Sequence, residues 1–201
     1  MNFAPRPRLR RAMPALAALA PLLAVAGSPS FDCRHARGSV QALICRDDAL
    51  AALDRQLVHT FAEARRQAPD EIRPALRGEQ RGWLKGRDAC WKADDQRACV
   101  ESSYRHRIAE LQARYRLVPG IGPVTFICDG DPRNEVVATF FRTDPATMIA
   151  ARGDGVSLMF VQPSGSGARY QGRNESFWEH QGEALVTWGY GAPEMRCRKS
   201  P

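Results

Sequence analysis

Apolar residues follow two rhythms along this chain, and the change comes near residue 117. From Phe31 to about Arg116 they recur every three or four positions, the period of a single helix face. Asp47 and Asp48 can cap a helix in which Leu50, Leu53, Leu57 and Phe61 share one side, and Pro69-Asp70 interrupts it. A second helix is predicted from about Glu71 to Cys90, with Ile72, Leu76, Trp83 and Leu84 as its apolar positions. Pro74 fits its first turn, where a missing N–H costs little. Gly82 and Gly86 weaken it by about 1 kcal/mol each relative to alanine. A third helix, about Gln96 to Arg116, puts Val100, Tyr104, Ile108, Leu111 and Tyr115 on one side. Together these make a small antiparallel helical bundle.

Leu117-Val118-Pro119-Gly120-Ile121-Gly122-Pro123 breaks the helical period and reads as a short boundary, so the two halves should sit close together. Beyond it, Val124–Cys128, Glu135–Phe141, Thr147–Ala151 and Val156–Val161 read as strands, separated by Asp/Gly/Pro turns. Ser176-Phe177-Trp178, Ala184–Trp188 and a tail ending at Cys197 continue the series. Repeated short strands predict a small antiparallel β-barrel, a closure that leaves no exposed edge. The expected fold is therefore α+β in two domains, with boundaries 27–117 and 118–201.

Residues 1–26 look like a removable export signal. Arg6, Arg8, Arg10 and Arg11 precede an apolar run from Met13 to Ala26, and Ala24-Val25-Ala26 is a cleavage site of the A-x-A type. The run is short for a bilayer span and contains Pro14 and Pro21. Cys33 follows Ser30-Phe31-Asp32 rather than a lipobox, which predicts a soluble periplasmic protein with no membrane anchor after cleavage. The leader carries four of the seven net positive charges, leaving +3 on the mature chain. No basic stripe interleaved with aromatics remains, so nucleic-acid binding is not expected.

Six cysteines in an exported chain predict three disulfides. Four lie in the helical half and allow three connectivities. Cys90 and Cys99 bracket the turn between two helices, which would leave Cys33 to Cys45, while Cys128 and Cys197 would staple the first strand to the last. The spacings lack the C-x-x-C pairs of structural zinc sites, and no metal or cofactor is implied.

Pro163-Ser164-Gly165-Ser166-Gly167-Ala168-Arg169-Tyr170 stands apart, with small residues first and aromatics soon after at Phe177-Trp178. Proline and glycine bar a helix here. The stretch lacks the further Gly or Lys of dinucleotide and P-loop cradles, and the Gly-x-Ser-x-Gly of a hydrolase elbow. On residue types alone it reads as a hairpin loop slim enough to enter another molecule's cleft.

Ser164-Gly165-Ser166-Gly167-Ala168-Arg169-Tyr170, Phe177-Trp178, Glu183-Ala184 and the flanking Cys128 and Cys197 resemble the MliC/PliC family of C-type lysozyme inhibitors over about residues 122–198. That family usually reads Phe-Trp-x-Lys-Gly, whereas here the run is Phe177-Trp178-Glu179-His180-Gln181, so His180 stands in place of the family's functional lysine. The first half is similar to the LprI-type domain over about residues 31–115. Phe31-Asp32-Cys33, Ala42-Leu43-Ile44-Cys45, Leu53-Asp54-Arg55-Gln56-Leu57, Gln80-Arg81-Gly82-Trp83-Leu84 and Arg87-Asp88-Ala89-Cys90 carry that likeness, and Arg107-Ile108-Ala109-Glu110-Leu111 fits its closing helix.

The resemblance implies a proteinaceous inhibitor whose partner is C-type lysozyme, with no catalytic residues of its own. Its implied contacts are Ser164, Gly165, Ser166, Gly167, Arg169, Tyr170, Trp178 and His180. Ser166 would hydrogen-bond a catalytic carboxylate and protonated His180 would make the charged contact, with Tyr170 and Trp178 bracing the loop as core aromatics. The rival expectation is a cell-envelope scaffolding protein that binds a partner through its helices, and a pull-down against lysozyme separates the two. An enzyme using Ser166 and His180 fits less well, since no third group is identifiable that would orient the histidine. Trp83, Arg87 and Asp88 could suggest a second site, but read more simply as a core tryptophan beside a structural ion pair. His35, His59 and His106 are scattered, as surface or satisfied histidines would be.

Overall fold

The computed structural model describes Met1 and residues 27–200; the predicted signal and its cleavage site lie outside the described residues. Four helices come first: α1 (Gly38–Arg46), α2 (Asp48–Gln67), α3 (Arg73–Asp88) and α4 (Gln96–Arg114). Short 3₁₀ turns occupy Cys33–His35 and Ala89–Lys92. Asp47 caps α2, its carboxylate accepting the N–H groups of Ala49 and Leu50 at 3.0 Å. The Leu50 N–H first, and then Arg97 of α4 at 2.7 Å, hold that carboxyl below the usual range. Ile44, Leu50, Leu57, Leu76, Val100, Tyr104, Ile108 and Leu111 close one core between the helices. The expected second helix stops two residues before Cys90, because the chain tightens into the 3₁₀ turn there.

Eight strands follow: β1 (Gly120–Cys128), β2 (Glu135–Phe141), β3 (Thr147–Arg152), β4 (Gly155–Gln162), β5 (Ala168–Gln171), β6 (Glu175–His180), β7 (Glu183–Trp188) and β8 (Glu194–Lys199). Each pairs antiparallel with the next, and β8 returns to β1 to close the barrel. Alternate residues fill the interior, among them Phe126, Val136, Met148, Met159, Tyr170, Phe177 and Val186.

Two expectations need correction. The apparent boundary at Leu117–Pro123 is partly strand: β1 begins at Gly120, and a register shift between Ile121 and Val124 takes up the glycine and proline. Ala168–Tyr170, read as loop, belong to β5.

The three disulfides join Cys33 to Cys45, Cys90 to Cys99 and Cys128 to Cys197. Cys128 and Cys197 are also register partners across the closing seam of the barrel. The helices touch the barrel through α4. Arg105 pairs with Asp144, and the His106 ring lies 4.8 Å from that of Phe160 on β4.

Candidate functional site

The loop joining β4 to β5 is Pro163-Ser164-Gly165-Ser166-Gly167, and every residue in it is exposed. Its backbone is nevertheless held. The indole Nε1 of Trp178 donates to the Ser166 carbonyl at 2.9 Å, and the Ser164 hydroxyl donates to the same oxygen at 2.5 Å. Gly167 has φ +68°, and a Cβ there would lie 2.1 Å from the carbonyl oxygen of Glu179. Only glycine permits this approach of the loop to β6. The two serines are therefore unlike. The Ser164 hydroxyl is committed within the loop, whereas the exposed Ser166 hydroxyl makes no hydrogen bond among the described residues.

His180 ends β6, and Gln181-Gly182 turn the chain into β7 with φ +55° and +84°. Positive φ at both central positions suits a two-residue hairpin. Gln181 occupies the position where the resembled pattern carries glycine, and the left-handed region costs such a residue about 1–2 kcal/mol. The Glu179 carboxylate steadies the turn by accepting the Gly182 N–H at 2.9 Å. This role was not read from the sequence, although an x-Gly pair between two short strands could have suggested the turn. A Cβ on Gly167 would lie 3.1 Å from the Cβ of His180, so the loop's last residue abuts the histidine. The imidazole is exposed and forms no ion pair or hydrogen bond among the described residues.

The other expected contacts divide. Arg169 is exposed and opposite Trp178 in the β5–β6 register. Trp178 braces the loop as expected, but from outside: it is 40% exposed and faces away from the core. Tyr170 is buried, its ring 5.7 Å from Phe140, and burial pushes its phenol upward from the usual range. It supports the site from within and offers a partner no surface. Ser164, Gly165, Ser166, Gly167, Arg169, Trp178 and His180 thus share one corner of the barrel.

The second candidate cluster is structural. Arg87 is buried, donates to Asp88 at 2.7 Å, and also donates from Nη1 to the Tyr104 hydroxyl at 2.7 Å. The Trp83 ring lies tilted, 5.3 Å from that of Tyr104, and its indole donates to the Ser103 carbonyl. His35 and His59 are exposed, and His106 Nδ1 lies 2.8 Å from the Ser102 carbonyl. Among the described residues no group of three or more His, Cys, Asp or Glu is placed to hold a metal ion.

Two family models match the chain in sequence order. "Lysozyme inhibitor LprI" covers residues 33–111, and "Membrane-bound lysozyme-inhibitor of c-type lysozyme" covers residues 126–195, which include the loop and His180. The chain is also similar to proteins named Lipoprotein LprI from Mycobacterium bovis and from two strains of Mycobacterium tuberculosis. Identity to each is 34% over 175 residues, covering 85% of this chain and 84% of the relative. No solved structure matches the chain significantly.

Proposed function

Because this chain belongs to the LprI family, we propose that it is an exported, periplasmic inhibitor of C-type lysozyme that blocks the enzyme's cleft with the β4–β5 loop. Lysozyme cleaves a glycosidic bond between two flanking carboxyl groups. A strand of small residues entering that cleft excludes both the sugar and the water. The Ser166 hydroxyl donates to one carboxylate, and protonated His180 makes the charged contact beside it. Arg169 and Trp178 meet the rim. The loop loses little conformational freedom on binding, because Trp178 and Gly167 already hold it. Among the described residues no helix is long and apolar enough to cross a membrane.

The observation that carries this reading is the exposed Ser166 hydroxyl on a fixed, slender loop beside the exposed His180 imidazole, neither with a partner among the described residues. Gly165 provides the test. A Cβ there meets nothing within 4 Å and its φ is not positive, so Gly165→Phe leaves the free protein's fold intact. The bulkier loop should no longer enter a narrow cleft. In a cell-wall lysis assay Gly165→Phe should raise the inhibition constant by about thirtyfold or more, the scale of losing a binding hot spot. An inhibition constant equal to that of the wild type would remove the loop from the interface.

Substitution at position 180 tests the charged contact. An imidazole is charged only while protonated, whereas a lysine ammonium keeps its charge to about pH 10. A cleft carboxylate favours the protonated ring. Inhibition that uses this contact therefore weakens as pH rises. His180→Lys should flatten this dependence and strengthen inhibition at pH 8, after correction for the enzyme's own titration with a lysine-bearing relative. Parallel profiles for the two proteins would exclude the charged contact.

A further inference from the structure

Away from the loop, one side of the helical part gathers positive charge around an exposed indole. Trp91 lies in the 3₁₀ turn Ala89–Lys92 between α3 and α4 and is 64% exposed. Cys90 beside it is buried and bonded to Cys99 of α4, so the turn that carries the indole is anchored. A single surface aromatic is ordinary. Here, however, it borders a cleft of about 680 Å³ whose lining also includes Arg37, Lys85 and Lys92.

All three cations are exposed, and none forms an ion pair among the described residues. Some arginines of the helices are paired, as Arg97 is with Asp47 and Glu101, and Arg114 with Glu110. The one carboxylate lining the cleft, Asp88, is engaged by buried Arg87 at 2.7 Å. Lys92 Nζ lies 5.4 Å from the centre of the Trp91 ring, which gathers charge and aromatic face at one spot.

We propose that this cleft binds an acidic saccharide, with the indole stacked on a sugar ring and the three cations meeting its carboxylates. Like charges converging on one cleft repel each other, and an anion relieves that repulsion. An indole presents a flat apolar face with a polar edge, matching the C–H face and hydroxyl rim of a pyranose. The cleft is open, with a volume in the range of small-ligand sites. Such a site would hold the chain on an acidic wall glycan and raise its effective concentration where lysozyme acts. The inference stands independently of the loop, since none of these residues belongs to that corner of the barrel.

The test is calorimetric titration of the intact mature chain. The probes are a tetrasaccharide of alternating N-acetylglucosamine and N-acetylmuramic acid, neutral chitotetraose, and vesicles containing phosphatidylglycerol. The acidic tetrasaccharide should bind about tenfold or more tightly than the neutral one, with an affinity that falls as salt is added. Trp91→Ala, and Lys85→Glu combined with Lys92→Glu, should each weaken that binding about tenfold or more. Lysozyme inhibition on a small soluble substrate should not change in these variants, and Gly165→Phe should leave saccharide affinity untouched. Equal affinity for the two tetrasaccharides, indifference to Trp91→Ala, or binding to vesicles alone would overturn the site. So would inhibition that falls in step with saccharide affinity, which would assign the patch to lysozyme.

Discussion

Arg87→Met should destabilise the helical part by about 3–5 kcal/mol, the cost of leaving a buried charge without its partner. Arg87 and Asp54 are 4% and 5% exposed, and their closest charged atoms stand 3.8 Å apart. Tyr104 links them: its hydroxyl accepts from Arg87 at 2.7 Å and donates to Asp54 at 2.8 Å. Burial pushes the Tyr104 phenol well above the usual range, so the ring keeps the proton that it donates. The Ser30 N–H supplies Asp54 with another donor at 2.7 Å, but that donor is neutral. Without Arg87 the carboxylate therefore keeps hydrogen bonds and loses charge compensation. The guanidinium also lies 5.6 and 5.5 Å from the Trp83 and Tyr104 ring centres, contacts that methionine restores only in part. Adding Asp54→Asn to Arg87→Met should recover part of the loss. Urea unfolding of the two single variants and the double variant gives the coupling energy, and a loss below about 1 kcal/mol for Arg87→Met would show that the pair is not structural.

Cys128→Ser combined with Cys197→Ser should cost the barrel about 2–5 kcal/mol. The bridge spans 69 residues and crosses the only seam joining β8 to β1. Closing a loop of that length is worth about 4–5 kcal/mol in the chain-entropy picture. Both cysteines are fully buried in the barrel core, so two serine hydroxyls would also need partners there. Differential scanning calorimetry of the wild type and the double variant reports the change. A melting temperature unchanged by the double substitution would mean that pairing across the seam suffices without the bridge.

The sequence was most legible where one local rule governs each element. Helical spacing located α2, α3 and α4 to within a few residues, because each buries a single stripe against its neighbours. Three connectivities were open to Cys33, Cys45, Cys90 and Cys99, and the structure has the one in which Cys90 and Cys99 bracket a turn, with Cys128 joined to Cys197 across the barrel. Non-local facts were harder to read. Arg87 pairs with its neighbour Asp88 as expected, but its buried partners, 17 and 33 positions away at Tyr104 and Asp54, were not legible. β5 has four residues and emerges straight from the small-residue loop, so its pairing with β4 and β6 leaves almost no trace in the hydrophobic pattern. Tyr170 and Trp178 looked alike as bracing aromatics. Strand parity separates them, burying Tyr170 and turning Trp178 outward to hold the Ser166 carbonyl.

A loop that fills the lysozyme cleft must compete with any ligand of that cleft. Tri-N-acetylchitotriose is neutral and serves as that ligand. Calorimetric titration of a C-type lysozyme with the mature chain should give a one-to-one complex. Its apparent affinity should fall in proportion to saccharide occupancy as chitotriose is added, since a site holding one cannot hold the other. An affinity indifferent to saturating chitotriose would place the chain outside the cleft, and the absence of any complex would show that it does not bind lysozyme.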